Sequence, residues 1–130
     1  MLRLTRKTVL SLEAVLDIAY NARPDPVQSR DITERQGIPN RYLEQVLQRL
    51  VREGVLKGVR GPRGGYTLAR ERRRVSLGDV LRVVSAMDAE EEEPASAAML
   101  GERVIDPLWD EVVTEILARF DMITMEDLCR

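Results

Sequence analysis

Two short helical segments, joined by a glycine-containing turn and followed by a glycine-rich hairpin, constrain the fold of this 130-residue chain most strongly. The first segment, residues 29–36, ends at Gly37, and glycine ends helices because it adopts a left-handed backbone without steric cost. Pro39 then stands at the start of the second segment, where its fixed φ suits a helix N-terminus. The second segment runs to about residue 53. This pattern predicts a helix-turn-helix.

The second of these helices is strongly two-sided. Its apolar residues recur at helical spacing and should face a core: Leu43, Val46, Leu47, Leu50 and Val51. The opposite face is polar and basic: Asn40, Arg41, Glu44, Gln45, Gln48, Arg49 and Arg52. An ordinary helical corner also has a polar outer face, so this helix pair alone does not establish a DNA-binding motif.

The residues after this helix predict a basic β-hairpin. Residues 55–60 alternate like a strand, residues 61–65 (GPRGG) form a turn, and residues 66–68 return. Arg60 and Arg63 lie at its tip. A basic hairpin directly after a helix-turn-helix is a wing, and its glycines let the backbone approach a phosphate or a minor groove. Alone, the glycines would indicate only a tight turn.

Charge is divided unequally along the chain. Residues 1–87 contain 17 Lys and Arg against 9 Asp and Glu, whereas residues 88–130 contain 3 against 13. The excess of positive charge in the first part predicts that it meets a polyanion.

The composition excludes several kinds of chemistry. The chain has no histidine and one cysteine, Cys129, so His-based acid–base catalysis, a Cys/His zinc site and an internal disulfide are excluded. We therefore expect no enzyme, no metal and no cofactor, in a reducing cytoplasm. No apolar run is long enough to span a membrane.

The remaining patterns predict a mainly α-helical chain with one small hairpin, in three parts. Residues 1–87 form a winged helix-turn-helix domain, whose first helix runs from Thr5 to Ala22 and stops at the turn 23–26. Residues 76–79 predict a capping box for a helix to about Met87. Residues 88–98 are predicted to be an acidic, flexible linker, because a run of carboxylates without apolar residues stays solvated. Residues 99–130 form a long dimerisation helix and a short terminal one.

The last long helix predicts self-association. Asp106 is expected as its N-cap and Pro107 as its first residue. Its apolar residues wrap over a wide arc, so the helix must bury more than one side. We expect a second copy of the chain to cover its apolar residues: Leu108, Trp109, Val112, Val113, Ile116, Leu117 and Phe120. The alternative is that the helix packs wholly against its own winged-helix domain.

These segments together resemble one family. The run LTRK, the stretch DITERQGIPNRYLEQVLQRLVREGVLKGVRGPRGGYTLAR, and the later SLGDVLRVV and PLWDEVV…ITMEDL are similar to the IscR/NsrR/CymR-type winged-helix transcriptional regulators. The resemblance covers nearly the whole chain. It implies a homodimer that binds palindromic operator DNA, with the second helix of the motif in the major groove and the wing in the minor groove.

The resemblance also assigns residues. It places Arg41, Tyr42, Glu44 and Gln45 at base- and phosphate-contacting positions and Arg60 on the wing, beside Arg63 and Gly64. The chemistry of these side chains is consistent with that role, since a glutamate can accept a hydrogen bond from cytosine and a glutamine can form hydrogen bonds with adenine. Two alternatives stay open: Glu44 could pair with Gln48 at the surface, and Tyr42 could be a half-buried core aromatic.

This chain departs from its cluster-binding relatives in one segment. Those relatives place three closely spaced cysteines before the dimerisation helix, whereas residues 88–106 here contain none. Arg103 and Asp106 stand where relatives have a cysteine and a histidine. Arginine does not ligate iron, and clusters are held by thiolates, so a cluster-free regulator is expected. Cluster-free relatives that act through a partner enzyme of cysteine synthesis suggest a link to cysteine or iron–sulfur metabolism.

The sequence therefore predicts a dimeric winged-helix transcription factor, with a repressor as the expected mode. The alternative is a protein-interaction module, in which the wing and the acidic tail bind a partner protein and not DNA. Arginines on the helix face and the wing favour DNA.

Overall fold

The computed structural model describes residues 5–22, 25–91 and 104–129. Within these ranges the architecture is mainly α-helical with one two-stranded antiparallel hairpin, which confirms the expected fold class. Along the chain the elements are α1 (Arg6–Asn21), α2 (Ser29–Gln36), α3 (Asn40–Arg52), β1 (Leu56–Val59), β2 (Gly65–Leu68), a single 3₁₀ turn (Arg72–Arg74), α4 (Leu77–Glu91), α5 (Asp106–Phe120) and α6 (Met125–Leu128).

Local capping signals set three helix ends where the sequence predicts them. The Thr5 hydroxyl accepts a hydrogen bond from the Thr8 amide at the start of α1. Gly37 ends α2 with φ 66°, a left-handed conformation that favours glycine. Ser76 and Asp79 form the expected capping box, with reciprocal hydrogen bonds of 2.9 and 3.0 Å. Arg23 and Pro24, in the turn expected after α1, lie outside the described residues.

A single apolar core is assembled from most of these elements. The fully buried side chains come from α1, α2, α3, α4 and the segments between them, and include Ile18, Ile32, Leu47 and Val80. The short helix α6 also belongs to this core, because Met125 is fully buried within it. Backbone hydrogen bonds close the C-terminal segment onto the start of α4, from Leu77 to Ile123 and from Met125 to Val75. By its packing, α6 therefore lies with the winged-helix core and not with α5 alone.

Two expected helix boundaries are wrong. Helix α4 continues to Glu91, four residues beyond Met87 and into the stretch expected to be a flexible linker. Alanine and glutamate are good helix formers, and Glu90 is held by an ion pair to α3, so helix persists there. Asp106 is already inside α5 and is not its N-cap, because Ile105 before it has helical φ and ψ of −74° and −50°. Residues 92–98 of the expected linker lie outside the described residues.

The hairpin is fastened to the segment that leads into α2. Its strands pair from Leu56 with Leu68 to Val59 with Gly65. Val27 adds one bridge on the far side of β2, exchanging both backbone hydrogen bonds with Tyr66 at 2.9 and 2.7 Å. A Cβ atom on Gly65 would lie 2.4 Å from the Val27 carbonyl oxygen, so this approach requires glycine.

A buried carboxylate ties α1 to α2. The side chain of Asp17 is fully buried and accepts hydrogen bonds from Arg35 (2.7 and 2.9 Å), Gln36 (2.9 Å) and Asn21 (3.2 Å). Burial alone would raise the pKa of Asp17, but these hydrogen bonds and the charge of Arg35 outweigh it and lower the pKa below its ordinary value. The first helix of the motif is thereby held against α1.

We expect Asp17→Ala to lower the free energy of unfolding by ~1.5–3 kcal/mol, since it removes hydrogen bonds to charged groups while Arg35 remains partly hydrated. Because the pKa of Asp17 is lowered in the fold, its contribution is fully present above the ordinary aspartate pKa of about 3.9. It is lost as pH falls through the lowered value in the folded state. Urea unfolding of wild type, Asp17→Ala and Asp17→Asn at neutral and strongly acidic pH checks this. A stability difference that grows at acidic pH would contradict it.

Candidate nucleic-acid interface

Helix α3 presents a polar face to solvent, as its sequence predicts. Its inward side chains Leu43, Val46, Leu47 and Leu50 are buried, whereas Val51 is half-buried. Six of the seven outward side chains are exposed: Asn40, Arg41, Glu44, Gln45, Gln48 and Arg52. The exception is Arg49, described below. Among the described residues, Arg41, Glu44 and Gln45 make no hydrogen bond or ion pair with another side chain. Their polar groups are therefore available to a ligand.

The pairing of Glu44 with Gln48, raised from the sequence as an alternative, is absent: these two exposed side chains form no hydrogen bond within the described part of the chain. A carboxylate that lies on a basic face and has no protein partner is suited to accept a hydrogen bond from the edge of a DNA base.

Tyr42 lies at the side of α3 and not on its outer face. It is half-buried; its hydroxyl is 3.1 Å from the Ser11 Oγ and donates to the Lys7 carbonyl oxygen at 3.2 Å. The Lys7 ammonium stands 5.7 Å from the centre of the ring. This position matches the half-buried alternative raised from the sequence. Tyr42 ties the outer helix of the motif to α1.

Arg49 is the exception on the α3 face. Its guanidinium donates to both carboxylate oxygens of Glu90 on α4, at 2.9 and 2.6 Å, and to Glu53 at 3.3 Å. Hydrogen bonding to Glu90 raises the pKa of Arg49, and the same hydrogen bonds lower the pKa of Glu90. No sequence signal identified this pair, because Glu90 is 41 residues away in the chain.

The wing carries exposed cations on a glycine-defined turn. Arg60 and Arg63 are exposed and form no ion pair among the described residues. Gly64 is buried in the turn, and a Cβ atom there would lie 2.1 Å from the Val59 carbonyl oxygen. Glycine is therefore required at this position by the hairpin itself, whatever the wing binds.

A second contact between the wing and α2 was not anticipated from the sequence. The Gln28 side chain donates to the Pro62 carbonyl oxygen at 3.2 Å and accepts from Arg30 at 3.0 Å. Gln28, Ser29, Arg30 and Gly61 line a cleft of about 340 Å³ between α2 and the wing. The wing is thereby connected at two points to the segment that leads into α2, through Gln28 and through Val27.

Basic residues beyond the wing are largely neutralised by carboxylates. Ion pairs join Arg70 to Asp79, Arg72 to Glu126, Arg73 to Glu71 and Arg82 to Asp121. In contrast, five cations on α3 and the hairpin lack an ion-pair partner within the described ranges: Arg41, Arg52, Lys57, Arg60 and Arg63. Arg49 is the exception on α3. Unneutralised positive charge is therefore concentrated on the helix-turn-helix and its wing, where it favours a polyanion.

Helix α5 exposes a second surface, which is apolar. Leu108, Trp109, Val112 and Ile116 are 40–56% exposed, whereas Val113, Leu117 and Phe120 are half-buried. Helix α5 packs against α4, so the protomer covers part of the apolar arc and leaves the rest in solvent. Exposed apolar patches of this kind are typical of surfaces that bind other proteins.

The fold and these surfaces define a winged-helix regulator of the DNA-binding class. The family model described as "Rrf2: Iron-dependent Transcriptional regulator" matches residues 4–130. The HTH-type transcriptional regulator IscR of Xenorhabdus nematophila is 35% identical over 131 residues, covering 99% of this chain and 80% of the relative. The chain belongs to the Rrf2 family of transcriptional regulators, which confirms the resemblance found in the sequence and the expectation that it is not an enzyme.

Solved structures agree with this assignment. The structure of T. potens IscR has 34% sequence identity and a TM-score of 0.71, covering 98% of this chain and 85% of that one. The structure of CymR, the global cysteine regulator of B. subtilis, has 26% identity and a TM-score of 0.72, covering 99% and 97%. No helix in the described residues is long and apolar enough to cross a bilayer.

The iron named in the family description does not fit the donor set of this chain. Iron–sulfur clusters are held by several thiolates, and this sequence supplies a single cysteine and no histidine. Cys129 is half-buried after α6, where it packs against the core. Within the described ranges no three His, Cys, Asp or Glu side chains are grouped so as to hold a metal ion.

Proposed function

We propose that this regulator binds palindromic operator DNA as a homodimer and acts as a repressor in the cytoplasm. The observation that carries the proposal is the concentration of unpaired cations on α3 and the wing, whereas four of the six described basic side chains that follow the wing are in ion pairs. Positive groups without internal partners release counterions when they meet phosphates, which is the main source of affinity for DNA.

In this proposal α3 reads base edges and the wing supplies affinity. Glu44 and Gln45 contact bases in the major groove, and Arg41 contacts bases or phosphates. Arg60 and Arg63 enter the minor groove or bind phosphates, while Gly64 keeps the turn narrow. Tyr42 contributes at the edge of the interface, through the register of α3 against α1.

The exposed apolar stripe of α5 supports the dimer. A second copy would cover Leu108, Trp109, Val112 and Ile116 by the symmetric contact that most homodimers use. The half-buried Val113, Leu117 and Phe120 would complete that interface beside α4. Two copies present two α3 helices, which accounts for a palindromic operator with half-sites about one helical turn apart, ~34–36 Å.

The effector is proposed to be something other than an iron–sulfur cluster. Similarity to the cysteine regulator CymR supports a link to cysteine or sulfur metabolism, through a partner enzyme or a small molecule. We expect protein purified without oxygen to be colourless and to contain no iron above background, because one thiol per chain cannot hold a cluster. Metal analysis and a visible spectrum check this. An absorption band that disappears in Cys129→Ser would contradict it.

The test of the proposed function is selection of genomic DNA. The purified protein is mixed with fragmented genomic DNA at physiological salt, and the retained fragments are sequenced. Recovery of a shared palindrome is expected. If binding is instead to a protein partner, as in the alternative interaction module, no fragment is enriched and retention does not fall steeply with salt.

A further inference from the structure

The ion pair between Arg49 and Glu90 joins the outer helix of the motif to the acidic end of α4. Two guanidinium nitrogens of Arg49 face both carboxylate oxygens of Glu90, the geometry of a strong, oriented ion pair. The Arg49 side chain is 18% exposed, compared with 60% for Glu90. Arg49 is thus drawn down toward α4, while the other polar side chains of the α3 outer face remain in solvent.

Arg49 lies beside the stripe of α3 that points outward. At 100° per residue, Arg41, Gln45, Gln48 and Arg52 fall within about 60° of arc, and Arg49 lies about 40° beyond Gln45. An arginine side chain at that position is long enough to turn toward a phosphate next to the stripe. Its present orientation is set by the carboxylate of Glu90.

We propose that Glu90 is a positioning residue that limits DNA affinity by holding Arg49 on α4, away from the DNA backbone. The inference rests on the proposed function, since it concerns the strength of the same DNA interaction. Without Glu90, Arg49 is released and binds one additional phosphate.

The energy of the ion pair makes such an exchange feasible. Ion pairs between partly exposed groups contribute little to stability, because water and salt screen their charges. A phosphate can therefore compete with Glu90 for Arg49, and the carboxylate adjusts the affinity without abolishing binding.

The experiment measures DNA affinity of the full chain against operator and random duplexes over about 50–200 mM salt. Glu90→Ala should bind both duplexes ~2- to 5-fold more tightly and steepen the dependence of log K on log salt by about one unit. The double variant Glu90→Ala/Arg49→Ala should bind no more tightly than wild type. Glu90→Gln, with the same shape and no charge, provides a second variant, and thermal midpoints confirm that each protein is folded.

Asp88→Asn is the matched control, because it removes one negative charge from the same turn of α4 and Asp88 forms no ion pair with Arg49. An equal increase in affinity in Asp88→Asn would overturn the inference in favour of a general charge effect. Unchanged affinity and salt slope in folded Glu90→Ala would overturn it as well, while leaving the proposed function intact. Wild-type protein that retains no DNA at low salt would instead overturn the proposed function itself.

Discussion

Replacing Trp109 and Val112 with aspartate should convert the proposed dimer into a folded monomer and lower operator affinity by ~10²- to 10⁴-fold. Both side chains are more than 40% exposed in the protomer, so the substitutions leave the core intact. In a dimer they would bury unpaired charges, which is strongly unfavourable. A monomer binds one half-site only, so it does not benefit from the linkage of two half-site interactions.

Light scattering at micromolar concentration and a titration with operator DNA measure the two effects. Ala118→Asp is the control, because it adds one carboxylate to an exposed position of α5 outside the apolar arc and should leave the dimer unchanged. A wild-type protein that is monomeric at this concentration, or a double variant that still dimerises, would show that α5 is not the interface.

Replacing Glu44 with alanine should remove sequence discrimination, at ~1–3 kcal/mol for each base pair that the carboxylate reads. Binding to mismatched duplexes should stay level or rise, since a negative charge leaves the groove. In contrast, Arg60→Ala or Arg63→Ala should weaken operator and random DNA by similar factors. The reason is that the minor groove presents a degenerate pattern, whereas the major groove distinguishes every base pair.

Competition titrations of each variant against operator and scrambled duplexes, at several salt concentrations, separate these outcomes. The wing variants should also flatten the salt slope by about one unit for each phosphate that the variant no longer neutralises. If Arg60→Ala alone abolished sequence preference while Glu44→Ala weakened both duplexes equally, the assignment of base recognition to α3 would be wrong.

The features of the fold that can be predicted from the sequence are those that depend on residues close together in the chain. Thr5, Gly37 and the pair Ser76–Asp79 mark helix ends through hydrogen bonds within about one turn, and each appears in the structure where it was expected. The apolar stripe of α3 was also identified, since helical periodicity depends only on residue spacing.

Other features were missed because partners distant in the chain decide them. Helix α4 extends to Glu91, and Glu90 in its last turn forms an ion pair with Arg49. No local sequence pattern predicts that ion pair. The fastening of the wing through Gln28 and Pro62, and the burial of Met125 in the core, join segments 34 or more residues apart.

Sequence by itself determined the class of the molecule: a two-sided helix after a glycine turn, a basic glycine-rich hairpin, and one cysteine without histidine. These depend on residue type and spacing, which the chain carries before it folds. Only the tertiary structure decided which polar side chains are free to bind, because that depends on what packs beside them. Arg41 and Arg49 look equivalent in the sequence of α3, yet only Arg49 finds a carboxylate of α4 within hydrogen-bond distance.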